Sequence, residues 1–398
     1  MRILSNDYLT NLPAASHAAS GGPAGFARTF SSYLAAHGHA WIGVVHQHKQ
    51  KDETAVRKTA TAHNAEYYSF TRQKNHSSTF LQSTKAIDPR VWFSVQIEAL
   101  RKLIRRVQPD LLFLNGFSLY AWELLEAARL EEIPIVIQHA GILQVEVEQY
   151  KDMFPAPARK AMLQMEREIV EAASAQVFLN EFSHDAFCAR VANVPPEQAV
   201  FIPLPYNEQF ITKEAPSSIK QRKGGPTVIG SVARWDRIKN HQAILALAQE
   251  AKRQGLDWSF RCVTKIPDTP VKRQFKKRYA KTIEVVAPMP PADLSRFYAS
   301  SDILILPSHF DVSPTVVMEA ALLNRGTLIS PTVGWVSEYQ ACGLNDWIID
   351  FTHPAEVVTR IHTLLARTSI KRFQTSIKKH HAPSTVFAAY LRLFSSVI

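Results

Sequence analysis

Short runs of branched and aromatic residues alternate with amphipathic stretches twice along this chain. In the first half the apolar runs fall at 1–4, 41–45, 111–114, 134–137, 176–179 and 201–202, with helix-period stretches at 25–37, 120–130 and 160–173. In the second half runs at 228–231, 260–263, 283–286, 303–306 and 327–329 enclose helix-period stretches at 241–254, 292–299 and 315–323. Strands that alternate with helices predict parallel sheets covered on both faces. Segment 214–225, with Pro216, two serines, three basic residues after Ile219 and two glycines, breaks the pattern and reads as a joint. The expectation is two doubly wound α/β domains, at 1–205 and 226–383, with 206–225 between them. A ligand cleft would then lie at the carboxyl ends of both sheets.

Composition agrees with two folded domains. At 398 residues, 46% apolar and 20% charged, the chain can bury a core in each half and lacks the profile of a disordered one. Cys188, Cys262 and Cys342 are widely spaced and odd in number, which excludes a disulfide framework and a C-x-x-C metal site and fits a reducing cytoplasm. The first residues carry no long apolar region of signal-peptide type. No apolar run reaches the roughly 20 residues that span a bilayer. A soluble chain is expected, cytoplasmic or peripheral at the inner face of the membrane.

Net charge is +11, and the excess is local. Arg101, Lys102, Arg105 and Arg106 sit on a helix whose apolar face is expected along Val95, Ala99, Leu103 and Val107. Lys272, Arg273, Lys276, Lys277, Arg278 and Lys281 form a second cluster, and Lys371, Arg372, Lys378 and Lys379 a third. Two readings stand: solvated helix faces, or attraction to anionic lipid or a phosphorylated acceptor. No helix-turn-helix, zinc-finger or RNP-like pattern supports nucleic acid as a partner.

The densest chemistry follows the run at 303–306, in Asp311-Val-Ser-Pro-Thr-Val-Val-Met-Glu319. Pro314 suits the first helical position, where its missing N–H costs nothing, and Ser313 would be the N-cap. Glu319 then lies roughly 7.5 Å along the axis from Pro314, at about 1.5 Å per residue. The two acids bracket the helix start. Free N–H groups near Thr315 and Val316, backed by the helix dipole, make an anion site between them. A ligand with hydroxyls at both ends and phosphates in the middle, a nucleotide sugar, suits that arrangement.

Gly230-Ser-Val-Ala-Arg234-Trp-Asp-Arg-Ile-Lys239-Asn240 adds two cations in the loop after a strand, where they would reach a diphosphate. Ser20-Gly21-Gly22-Pro23 precedes the first helix and would let backbone approach a ligand, or serve only as a flexible turn. It lacks the G-x-G-x-x-G spacing of a dinucleotide fingerprint. His139 follows the run at 134–137, placed to project into the cleft and bind a sugar hydroxyl or shuttle a proton, or else to be one of many surface histidines. G-x-S-x-G, H-E-x-x-H, a Walker loop and D-x-D are all absent.

Taken in order, Gly21-Gly22, His139-Ala140-Gly141, Arg234 with Lys239, and Asp311 through Glu319 resemble the motifs of the retaining glycosyltransferases of family 4, which have the GT-B fold of two Rossmann-like domains facing across a cleft. The resemblance implies a hexosyltransferase taking its sugar from a nucleotide-sugar donor, expected to be UDP-linked, and passing it to a glycan, lipid-linked or small-molecule acceptor. It implies no metal and no other cofactor, because Arg234 and Lys239 neutralise the leaving diphosphate. Glu319 would bind the ribose and Asp311 the transferred sugar. His139 would face that sugar from the first domain, and Gly21, Gly22, Ser313, Thr315 and Val316 would complete the donor site. Segment 384–398 resembles the helix that crosses back to the first domain. Asp311 stands where the family has Glu, and Pro314 where Gly is common. A nucleotide-sugar epimerase of the same fold, or an inactive binding protein, is the alternative.

Overall fold

The computed structural model describes residues 1–8, 22–51, 54–62, 65–73, 75–210, 225–267, 270–367 and 369–398. The chain forms two compact units, one of Met1–Leu204 with Ser384–Ile398 and one of Pro205–Pro383.

In the first unit β1 (Arg2–Asp7), β2 (Ala40–Lys51), β3 (Ala55–Ala62), β4 (Ala65–Gln73), β5 (Leu111–Asn115), β6 (Ile135–His139), β7 (Ala175–Phe178) and β8 (Ala199–Phe201) make one sheet in the order β3-β4-β2-β1-β5-β6-β7-β8. Every pairing is parallel except β3 with β4. Neither β3 nor β4 is among the expected strands. Ala-Val-Arg-Lys-Thr-Ala-Thr-Ala has no apolar run because β3 is an edge strand, and charge on an edge discourages pairing with another chain. In β4 Tyr67, Tyr68 and Phe70 are all buried, but Glu66 and Ser69 interrupt the apolar run.

Helix Ser94–Val107 buries Ile97, Leu100, Ile104 and Val107, three or four residues apart, against the first core. Val95 is 64% exposed, so the apolar face is turned from the one expected through Val95 and Ala99. The last helix, Pro383–Val397, lays Phe387, Tyr390 and Phe394 into an aromatic cluster with Phe26, Phe30 and Phe113. Phe387 stacks on Phe30 at 5.0 Å between ring centres, and all these rings are buried.

A polar row runs across the carboxyl ends of β1, β5 and β6. The Asn115 N–H donates to Asn6 Oδ1 (2.8 Å), Gln138 Nε2 to Asn115 Oδ1 (3.0 Å), and Tyr390 O–H to Gln138 Oε1. Beside it Gln176 Nε2 donates to Gln198 Oε1 (3.1 Å), which turns Gln176 Oε1 toward His139 Nε2, 3.1 Å away. His139 Nε2 must therefore carry the proton. The ring stacks on Phe178 at 4.5 Å with no exposed surface, and Nδ1 has no partner among the described residues. Burial pushes its pKa down to about 4, so at neutral pH it is an uncharged imidazole.

In the second unit β9 (Thr227–Val232), β10 (Trp258–Val263), β11 (Glu284–Val286), β12 (Ile303–Leu306) and β13 (Thr327–Ile329) form an all-parallel sheet in the order β11-β10-β9-β12-β13. Strand order reverses between β9 and β12, the position where doubly wound sheets bind ligands. Gly230 lets helix Pro291–Ser300 and its following residue close on β9, since a Cβ there would lie 2.5 Å from Ser301 Oγ. Of the expected joint 206–225, residues 211–224 lie outside the described residues. Its first part packs into the second unit: the Tyr206 N–H donates to the His381 carbonyl (2.9 Å), and Phe210 is buried edge-on against Tyr298.

Two measurements check this account of the first unit. Phe387→Ala should destabilise it by about 3–5 kcal/mol, as loss of a buried aromatic ring does, read from urea unfolding. His139 binds a proton in the unfolded chain below about pH 6.5 and in the folded chain only near pH 4. Its contribution is therefore complete above pH 6.5 and is lost as pH falls through that window. Between pH 6.5 and 5 the loss should be about 2 kcal/mol, and His139→Gln should remove that part of the slope.

Candidate active site

The loops after β9 and β12 leave the sheet side by side. After β9, Asn240 takes a left-handed conformation (φ 51°) and its side chain caps helix His241–Arg253 by accepting from the Ala243 N–H. Asn tolerates that region better than most residues. His241 is buried, stacks on Trp235 at 4.4 Å and donates from Nε2 to the Arg234 carbonyl (2.9 Å). Burial lowers its pKa, so it is a neutral donor that pins the loop. Arg234 itself is exposed and forms no ion pair among the described residues. The His309 N–H donates to the Ile238 carbonyl (2.7 Å), stitching this loop to the one after β12.

After β12 the backbone of Asp311 is held from both sides. Its N–H donates to the Thr332 carbonyl (3.2 Å) and its carbonyl accepts from the Gly334 N–H (2.8 Å). Thr332 in turn donates its hydroxyl to the Ser308 carbonyl (2.9 Å). So placed, the Asp311 carboxylate forms an ion pair with the Lys239 ammonium, with 13% and 15% of the two side chains exposed.

Helix Thr315–Leu322 starts one residue later than expected. Pro314 is the N-cap with ψ 116°, and Ser313, expected to cap, is buried one residue ahead of it. The cause is the Pro314 carbonyl. It accepts from the Trp335 indole N–H (3.1 Å) and the Val317 N–H (3.2 Å), which holds Pro314 extended. The N–H groups of Thr315 and Val316 have no acceptor within the helix and belong to partly exposed residues. Glu319 sits a turn further in, 8% exposed, accepting from the Tyr298 hydroxyl (2.6 Å) and from that of Thr315. Burial raises its pKa against the pull of both bonds.

One end of the second sheet thus gathers Arg234, Lys239, Asp311, Ser313, Thr315, Val316 and Glu319. The supporting residues His241, Tyr298, Thr332 and Trp335 are not evident from spacing, because each acts through hydrogen bonds to residues 7 to 24 positions away. Gly22 and His139 belong to the first unit. Gly22 opens helix Gly22–Ala36 at φ 59°, a conformation that favours glycine, while Gly21 lies outside the described residues. His139 does not project into open space as expected: packing between Phe178 and Phe187 encloses it.

Elsewhere the basic helix Ser94–Val107 has much of its charge matched. Arg101 and Arg105 both bind Glu131, at 2.7 and 2.8 Å, and Glu98 lies beside both, while Arg106 stands over the Tyr68 ring. No helix among the described residues is long and apolar enough to cross a membrane. Among the same residues no three His, Cys, Asp or Glu side chains gather as metal ligands would.

Residues 226–367 match the family described as glycosyl transferases group 1. No curated protein matches the chain by sequence. Among solved structures, a sucrose-phosphate synthase from Thermosynechococcus elongatus superposes with a TM-score of 0.75 at 15% identity, covering 99% of this chain and 98% of that one. An E. coli structure described as trehalose-6-phosphate bound with UDP-2-fluoro glucose gives 0.67 at 12% identity, covering 100% of both chains. A trehalose-6-phosphate synthase, solved to study glycosyl transfer with retention, gives 0.68 at 12% identity, again over 100% of both. At such identities the structural likeness speaks for the fold alone. Residues 226–367 thus match the glycosyl transferases group 1 model, and the chain as a whole has the GT-B fold of two Rossmann-like domains.

Proposed function

We propose that this chain transfers a hexose-type sugar from a UDP-linked donor to an acceptor hydroxyl, with retention at the anomeric carbon and without a metal. The observation that carries the reading is the meeting of Lys239, Asp311 and the start of helix Thr315–Leu322 where strand order reverses. Two of the GT-B structures that resemble this chain, one holding a UDP-sugar analogue and one studied for transfer with retention, support the donor and the stereochemistry.

Each residue takes a role its position suits. The diphosphate lies against the N–H groups of Thr315 and Val316, with Arg234 and Lys239 as its cations. Ser313 lines the same turn. Departure of the nucleotide builds negative charge there, and donors already in place stabilise it without reorganising. Asp311 accepts from hydroxyls of the transferred sugar, and Glu319 from the ribose. A divalent metal has no task left at the diphosphate when two cations and a helix start already face it.

A thermal-shift panel of UDP, GDP, ADP and TDP identifies the base. A ligand at 100 times its Kd should stabilise the folded chain by about 2.7 kcal/mol. Lys239→Ala should lower kcat by a factor on the order of 10²–10³, the usual cost of one transition-state donor. Glu319→Ala should weaken nucleotide binding as well, because ribose contacts precede the chemistry. Normal turnover by Lys239→Ala would refute the site. Activity should persist in excess EDTA, and loss on chelation with recovery in Mn²⁺ would refute the cation assignment. Incubation with donor alone should leave the sugar unchanged, whereas an epimerase would convert it.

A further inference from the structure

We infer that Asp311, through its ion pair with Lys239, makes this site prefer the intact nucleotide sugar over the free nucleoside diphosphate. The inference rests on the proposed function. It adds a selective role to a residue otherwise expected only to hold sugar.

The Lys239 ammonium and the Asp311 carboxylate face each other across the two loops, largely shielded from water. The pairing is built in. Asp311 is fixed through its own N–H and carbonyl, and the Lys239 loop is fixed through His309 and Asn240. A diphosphate arriving at Lys239 must share that cation with a carboxylate or displace it. Either way a negative group is left beside the phosphates, in a setting where charges interact more strongly than in bulk water.

The two ligands differ in how they meet this cost. A nucleotide sugar carries a ring of hydroxyls beyond the second phosphate, at the position of Asp311, and these donate to the carboxylate that Lys239 releases. Charge-assisted hydrogen bonds of that kind are strong. The free nucleoside diphosphate brings no hydroxyls beyond its second phosphate. Its terminal phosphate also carries added negative charge near neutral pH, since the second ionisation of a phosphate monoester lies near pH 6. Asp311 therefore repels the product and holds the donor.

Calorimetric Kd values for UDP and UDP-glucose on wild type and Asp311→Asn test this. Asn keeps the shape and removes the charge. UDP should bind the variant at least tenfold more tightly, while UDP-glucose, which gains a free Lys239 but loses its charged hydroxyl acceptor, should change less than threefold. Asp311→Glu, which keeps the charge, should leave UDP within threefold of wild type, and melting curves should show all three proteins folded. Equal tightening of both ligands in Asp311→Asn, or no change for UDP, would overturn the inference while leaving the proposed function standing. If no nucleotide sugar linked through UDP, GDP, ADP or TDP bound the wild-type chain, the proposed function and this inference would both fall.

Discussion

The site depends on one topological fact: β9 and β12 are neighbours in the second sheet although two strands separate them in sequence. The chain runs outward from β9 toward one edge, returns, and continues from β12 toward the other. The loops that follow these two strands are consequently the pair between which no crossover helix intervenes. A hydrogen bond from His309 to Ile238 closes the remaining gap. Lys239 and Asp311, 72 residues apart, become direct partners through that reversal alone.

Around this junction the protein separates rigidity from chemistry. The site residues are held by neighbours from other parts of the chain: His241 on the Arg234 carbonyl, Thr332 and Gly334 on the Asp311 backbone, Trp335 on the Pro314 carbonyl and Tyr298 on the Glu319 carboxylate. A constellation held this way needs little reordering when a ligand arrives, and saved reordering appears as affinity or rate. Glu319 shows what enclosure costs, since its carboxylate has a raised pKa even with two hydroxyls on it.

Much of this was legible from residue order because period and punctuation are local. Apolar runs located the strands of both sheets wherever a strand is covered by helices, and the alternation of runs with amphipathic stretches implied their parallel packing. It failed for β3, which is polar at a sheet edge, and for β4, whose apolar run is interrupted by Glu66 and Ser69. Helix Ser94–Val107 was located but its face was misjudged, because Val95 continues the period of Ala99 and Leu103 while packing selects Ile97, Leu100 and Ile104. Spacing named Arg234, Lys239, Asp311 and Glu319. Spacing could not show that Lys239 and Asp311 neutralise each other, or that His139 is walled in by Phe178 and Phe187, because both outcomes depend on neighbours supplied by other elements.

The last helix has a consequence for how this protein comes into being. Phe387, Tyr390 and Phe394 complete the aromatic core of the first unit, yet they follow the whole of the second unit in the chain. During synthesis the first 204 residues leave the ribosome with that core unfinished. At about 5–20 residues per second, roughly 10–40 s pass before the missing rings appear. The second unit, an uninterrupted stretch, can close in that interval. The nascent first unit meanwhile exposes Phe26, Phe30 and Phe113 to whatever apolar surface it meets.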